Sequence, residues 1–210
     1  DSYIMGALCL AESYHRLNLS HDFIFLVNEN ISNQGKDLII NSGLGIYKEI
    51  PNIEYVCKSD NDRFCSTTGK FEIFNLIEYD KVIFLDADTL LLQPIDEITK
   101  YDYWFPFYNE TDDIPYCMCF CITPSIEKYN TIQKLLQDKS KKIVDDERAF
   151  TYLLLEKNNN YLNKKQFILS HVFHDVPGYG LGDDIPKYWM ETTETDIKKI
   201  VDNQFKKMGE

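Results

Sequence analysis

Two aspartates, Asp86 and Asp88, stand directly after an apolar run in the segment 82–92, VIFLDADTLLL. Residues 81–85 read as a strand covered on both faces, and the carboxyl end of a parallel strand is the edge where ligands bind. Alternation along an extended chain sends residues two apart to one side, so the two carboxylates are expected to converge. Converging carboxylates repel, and a divalent cation relieves that repulsion. Mg²⁺ or Mn²⁺ takes such oxygen ligands and also holds a diphosphate. The plainer alternative is that Asp86 caps the next turn and Asp88 is only solvated.

The elements that position these acids follow from periodicity. Ile4, Ala7, Leu8, Leu10 and Ala11 recur at helical spacing over residues 3–17, with Tyr14 reading as a surface position. A short buried strand is expected at 22–28, a helix at 33–42 ended by Gly43, and a second strand at 53–57 followed by a polar loop at 58–66. Residues 67–77 read as helical, with Phe71, Phe74 and Leu76 towards the core, and lead into the strand that carries the acids. Strands alternating with helices at this pace predict an α/β fold with a mostly parallel central sheet flanked by helices. Beyond residue 100 the pattern gives strands at 103–107 and 117–122 and helices at 125–137 and 146–155. A strand at 167–170 follows, then a closing amphipathic helix carrying Ile197, Ile200, Val201 and Phe205. No repeat or linker interrupts the chain, so one domain is expected over residues 1–210.

Thirty-four acidic against 22 basic side chains leave a net charge of −12, a poor match for nucleic acid, whose binding draws on Lys and Arg. It fits better with a small anionic ligand held through a bound cation. No apolar run approaches the roughly 20 residues of a membrane span. The cysteines do not form a disulfide framework. Cys117, Cys119 and Cys121 alternate on one strand face, Cys9, Cys57 and Cys65 are scattered, and no CxxC spacing suggests zinc. Reduced thiols acting as small hydrophobes point to a reducing compartment, hence the cytoplasm. The Asn-x-Ser/Thr triplets at Asn18, Asn30 and Asn109 are read as chance in an Asn-rich chain. The sequence opens at Asp1 directly into a helical pattern without a signal peptide, and a preceding segment is expected.

Residues 67–98, TTGKFEIFNLIEYDKVIFLDADTLLLQPIDEI, resemble the signature of the family 8 retaining glycosyltransferases, and of glycogenin in particular. Lys70 precedes Asp86 by the family's spacing. Residues 1–14, DSYIMGALCLAESY, resemble the opening of the first family helix. Residues 121–136, CITPSIEKYNTIQKLL, resemble the family's strand, Pro-Ser segment with its following Tyr, and helix. The likeness covers most of residues 1–155. The family's first strand would precede Asp1. The usual Asn-Ser-Gly is replaced by Tyr116, Cys117 and Met118, and Gly-Gly-Asp-Gln by Val144, Asp145, Asp146 and Glu147.

The resemblance implies a GT-A-type, Rossmann-like domain that moves a glucose-like hexose from a UDP-sugar to a carbohydrate or protein hydroxyl, with Mn²⁺ or Mg²⁺ bound and a homodimer possible. Asp86 and Asp88 would hold the metal, one of them also touching the ribose, with Ala87 between them in the nucleotide-binding segment. His171 is the better third ligand and His174 the second choice, both in residues 167–189, FILSHVFHDVPGYGLGDDIPKYW. Tyr3 would stack on uracil. Lys70, read as a cation at a helix start where the dipole disfavours it, would contact phosphate or sugar. Lys187 would neutralise the diphosphate, Asp146 would contact the sugar and assist front-face attack, and Glu147 stands where the family has an amide. Either acid also suits a first helical turn. Two other readings stay open. In a haloacid-dehalogenase-type phosphatase Asp86 would be the nucleophile and Asp88 the acid, with Leu90 where Thr or Val is needed and Lys142 and the pair Asp145–Asp146 as partners. A non-catalytic domain that binds nucleotide-sugar is the third.

Overall fold

A computed structural model describes residues 3–51, 67–91, 94–104, 117–138, 140 and 146–155, together with 199, 202 and 206. These fall into two compact units. One takes the described residues of Asp1–Glu49, Asp86–Ile95 and Ile168–Glu210; the other takes those of Ile50–Leu85 and Asp96–Phe167.

The first unit opens with helix α1 (Ile4–Arg16), whose His15 and Arg16 lie in the last turn, where cations suit the helix dipole. Its apolar face buries Ile4, Met5, Leu8, Cys9 and Ala11 against Phe25, Ile39 and Leu90. Tyr14 is buried rather than at the surface: its hydroxyl donates to the His21 carbonyl and its ring packs on Phe23. An amphipathic tyrosine with a near backbone acceptor can bury its ring at no polar cost, which periodicity alone does not reveal. Asn18, at φ 52°, turns the chain out of the helix.

Strand β1 (Ile24–Asn28), helix α2 (Asn33–Ser42) and strand β2 (Ile46–Ile50) follow. Ser32 caps α2 by accepting from the Gly35 N–H at 3.0 Å, and Gly43 at φ 64° ends it in the left-handed conformation that favours glycine. The Ile46 N–H donates to the Phe23 carbonyl at 2.8 Å, joining the two strand starts as in a parallel pair. Gly45 makes that approach possible, since a Cβ there would lie 2.6 Å from the Phe23 carbonyl oxygen. The sequence places the second strand later, at 53–57, which lies outside the described residues; β2 has a polar Lys48-Glu49 pair that hides it from pattern reading.

The second unit holds a 3₁₀ helix, η1 (Thr67–Asn75), strand β3 (Val82–Leu85), a second 3₁₀ helix (Asp96–Lys100), strand β4 (Tyr103–Trp104), strand β5 (Cys119–Ile122), helix α3 (Ile126–Gln137) and helix α4 (Asp146–Leu155). The strands run in the order β3-β5-β4 and both pairings are antiparallel, with Val82 opposite Ile122 and Leu85 opposite Cys119. The mixed helix and strand content and a small parallel pair are therefore present. The strand that leads to the acids, however, is hydrogen-bonded to an antiparallel neighbour. All of β5 is buried, so both of its faces are covered. Phe84 and Phe120 stack across the β3–β5 pair at 5.0 Å, and Phe150 of α4 packs on Phe120, Phe71 and Phe74. This aromatic cluster is the unit's core, each pair adding about 0.5–1.5 kcal/mol beyond burial.

The Lys81 ammonium, just before β3, ties that strand to the end of β5 and the start of β4, donating to Thr123 Oγ1 at 2.7 Å, Asp102 Oδ1 at 2.9 Å and the Tyr101 carbonyl at 3.0 Å. Cys9, Cys117, Cys119 and Cys121 are buried thiols. Burial pushes Cys9 and Cys121 up to about 12, which keeps them protonated and suits the small-hydrophobe reading. Among the described residues, no helix is long and apolar enough to cross a membrane. The strand expected at 167–170 lies outside the described residues. So do the apolar positions of the closing helix, although Lys199, Asp202 and Lys206 are helical and exposed.

Candidate active site

Strand β3 stops at Leu85, and Asp86 begins a turn. The Asp86 carbonyl accepts from the Thr89 N–H at 3.0 Å and from Thr89 Oγ1 at 2.7 Å. Strand alternation therefore does not govern Asp86 and Asp88; they are residues one and three of a tight turn. The turn is held from behind. Thr89, Leu90 and Leu91 are buried, and the Leu91 N–H donates to Ser13 Oγ at 3.0 Å, a hydroxyl that itself donates to the Leu10 carbonyl at 2.6 Å. Asp86, Ala87 and Asp88 remain half-buried on this anchored backbone. In the same unit Tyr3, at the start of α1, is 44% exposed.

Two carboxylates on a fixed turn are hard oxygen donors suited to Mn²⁺ or Mg²⁺. Among the described residues no group of three or more His, Cys, Asp or Glu side chains is assembled for a metal. The third-ligand candidates His171 and His174 lie outside the described residues, as do Lys187, Lys142 and Asp145.

In the second unit Lys70 and Asp146 meet. The Lys70 ammonium lies 2.5 Å from Asp146 Oδ2, with side-chain exposures of 9% and 10%. The ammonium also donates to the Cys117 carbonyl at 3.1 Å and sits 5.0 Å from the centre of the Phe84 ring. Lys70 is the fourth residue of η1 rather than its first. A direct counter-ion thus stands beside the Lys70 ammonium, where the sequence argues from the helix-start dipole. Asp146, in the first turn of α4, gains from that helix dipole as well. Glu147 beside it is half-buried.

Sequence reasoning named Lys70 and Asp146 separately and did not pair them. It missed Ser13, the Cys117 carbonyl and the pair formed by Glu72 and Tyr129, whose hydroxyl donates to Glu72 Oε1 at 2.6 Å. The available signals were slight: a serine and a glutamate at core-facing helical positions, and the tyrosine of the Pro-Ser-x-x-x-Tyr segment.

No protein-family model matches the chain. Over 208 residues, 97% of the chain, it is 26% identical to an Arabidopsis thaliana protein named as UDP-glucuronate:xylan alpha-glucuronosyltransferase 3. It is 34% identical over 45% of its length to UDP-glucuronate:xylan alpha-glucuronosyltransferase 1 of the same plant, and 26% identical over 47% to human glycogenin-2. The chain is a relative of the family 8 glycosyltransferases. It spans only 29%, 14% and 20% of the lengths of these three proteins. The resemblance first met around residues 67–98 thus extends, in one relative, to nearly the whole chain.

Proposed function

We propose that residues 1–210 form one GT-A-type domain of a retaining glycosyltransferase that moves a hexose from a UDP-sugar to a hydroxyl acceptor. The observation that carries this reading is the anchored acidic turn that follows β3, in a chain whose relatives include UDP-sugar transferases by name. Each compact unit is built from separated stretches of chain, which supports one domain rather than two.

In this reading Asp86 and Asp88, with His171 or His174, hold a divalent ion. Such an ion supplies positive charge against the diphosphate that leaves. Ala87 keeps the turn narrow for the nucleotide, Tyr3 offers its exposed ring to the base, and Lys187 adds charge for the diphosphate. Asp146 and Glu147 face the sugar. The sugar's C1–O bond to phosphate breaks with its electron pair going to UDP, a bond from the acceptor oxygen to C1 forms, and the hydroxyl proton leaves with the diphosphate. Lys70 neutralises Asp146 at 2.5 Å, which makes that carboxylate a poor nucleophile and favours front-face attack over a covalent sugar–enzyme intermediate. Lys70 is also proposed to contact phosphate or sugar, as the resemblance implies.

The donor expected first is UDP-glucose. The names of the two Arabidopsis relatives favour UDP-glucuronate as a second donor, and the acceptor is a carbohydrate or protein hydroxyl. None of the relatives named above is a phosphatase, and the haloacid-dehalogenase-type reading gains no support. The protonated buried thiols fit a reducing compartment such as the cytoplasm.

A donor panel with and without Mn²⁺ tests the function, read as UDP release and as mass gain on acceptor or protein. Release from UDP-glucose or UDP-glucuronate that requires Mn²⁺ is expected. Phosphate release from a simple phosphoester, with both UDP-sugars untouched, would overturn it.

A further inference from the structure

η1 runs for nine residues, whereas 3₁₀ helices usually stop after three or four because their hydrogen-bond geometry is poor. Such an element depends on what holds it from outside. Phe71 and Phe74 anchor it in the aromatic core against Phe150. Its two buried charged side chains reach two different helices: Lys70 goes to Asp146 of α4, and Glu72 goes to Tyr129 of α3.

The α3 connection is built at two points. The Ser125 N–H donates to the Phe74 carbonyl at 3.0 Å, fixing the start of α3 on the end of η1. One helical turn later the Tyr129 hydroxyl reaches back to Glu72, a carboxyl only 3% exposed. Burial first, and then the Glu72 hydrogen bond, push Tyr129 up to about 12, so the hydroxyl remains a donor throughout the physiological range. A buried polar pair is a poor way to gain stability, since apolar partners of the same shape do as well or better. Ile132 and Leu136 already supply apolar packing on α3. What the polar pair adds is direction: it fixes the rotation of η1, and Lys70 lies two residues from Glu72 on that helix.

We propose that Glu72 and Tyr129 are a positioning pair for Lys70, their hydrogen bond holding η1 so that the Lys70 ammonium meets Asp146 and the Cys117 carbonyl. The effect on geometry stands by itself; its effect on transfer rests on the function proposed above.

The test is acylation of the intact 210-residue protein with an amine-directed ester, measuring the labelling rate of Lys70 by mass spectrometry with exposed Lys100 as the internal standard. In Tyr129→Phe, Lys70 should label roughly fivefold faster, the gain in open population when one net hydrogen bond is lost. Glu72→Gln retains an acceptor and should stay close to the wild-type rate. Ile132→Val, which loosens α3 by packing alone, should also leave the rate unchanged. Should Tyr129→Phe fail to fold, Glu72→Met/Tyr129→Phe leaves no unpaired carboxyl and should give the same acceleration. Lys70 protected as in wild type in either Tyr129 variant, or equally loosened by Ile132→Val, would overturn the proposal. In a transfer assay, Tyr129→Phe should lower kcat with little change in donor KM. Absence of transfer in every variant would sink the proposed function, while the labelling result would still decide the positioning.

Discussion

The Lys70 ammonium and the Asp146 carboxylate form an ion pair of 2.5 Å inside the second unit, although they come from separate helices and distant parts of the sequence. Removing one partner leaves the other charge buried. Lys70→Met or Asp146→Leu should each cost about 3–5 kcal/mol in urea unfolding, and the double variant should recover most of that loss. Additive losses in the double variant would show that the two charges do not depend on each other.

Ser13 supports the acidic turn from α1. Ser13→Ala removes the acceptor of the buried Leu91 N–H and should destabilise the protein by about 1–3 kcal/mol. It should also weaken Mn²⁺ binding in a calorimetric titration, because the carboxylates of Asp86 and Asp88 lose their fixed backbone. Loss of stability with Mn²⁺ affinity unchanged would separate the turn's anchoring from the proposed metal site.

Gly45 permits the close approach of β1 and β2. Gly45→Ala would place a methyl 2.6 Å from a backbone carbonyl oxygen, and the strain should cost about 1–3 kcal/mol. Gly43→Ala meets no neighbour but must hold φ at 64°, for a loss near 1 kcal/mol. Equal small effects at both positions would contradict the packing described for β2.

Helix α2 was legible to the residue because Gly43 marks its end locally, and helical structure was legible over residues 146–155. Tyr14 and β2 were not legible. A backbone acceptor such as the His21 carbonyl and a strand partner such as β1 are supplied by tertiary structure, which local pattern does not contain. The same holds for the site. The types at Lys70, Asp86, Asp88 and Asp146 announced chemistry, but the pairing of Lys70 with Asp146 needs η1 and α4 to be packed together. Strand β3 was recognised by its apolar run, while its antiparallel partner β5 is a property of the whole sheet.

Stability should fall at alkaline pH. Cys9 and Cys121 rise from 9.0 to about 12 and Tyr129 from 10.0 to about 12. Between those limits the unfolded chain has lost protons that the folded chain keeps, so unfolding releases protons and each pH increment favours it. The stabilisation is complete below about pH 9 and is lost as pH rises towards 12. The urea midpoint should drop between pH 8 and pH 10.5, and Cys121→Ala should drop less. A midpoint that is level across this window would contradict the burial of these groups.

The most direct test of the central claim compares wild type with Asp88→Asn, in UDP release from UDP-glucose and UDP-glucuronate at saturating Mn²⁺. The wild type should turn over, and the variant should be slower by about a hundredfold or more at unchanged melting temperature, since it would lose an anionic ligand of the cation proposed to serve the leaving diphosphate. Equal turnover by the two proteins would contradict the account.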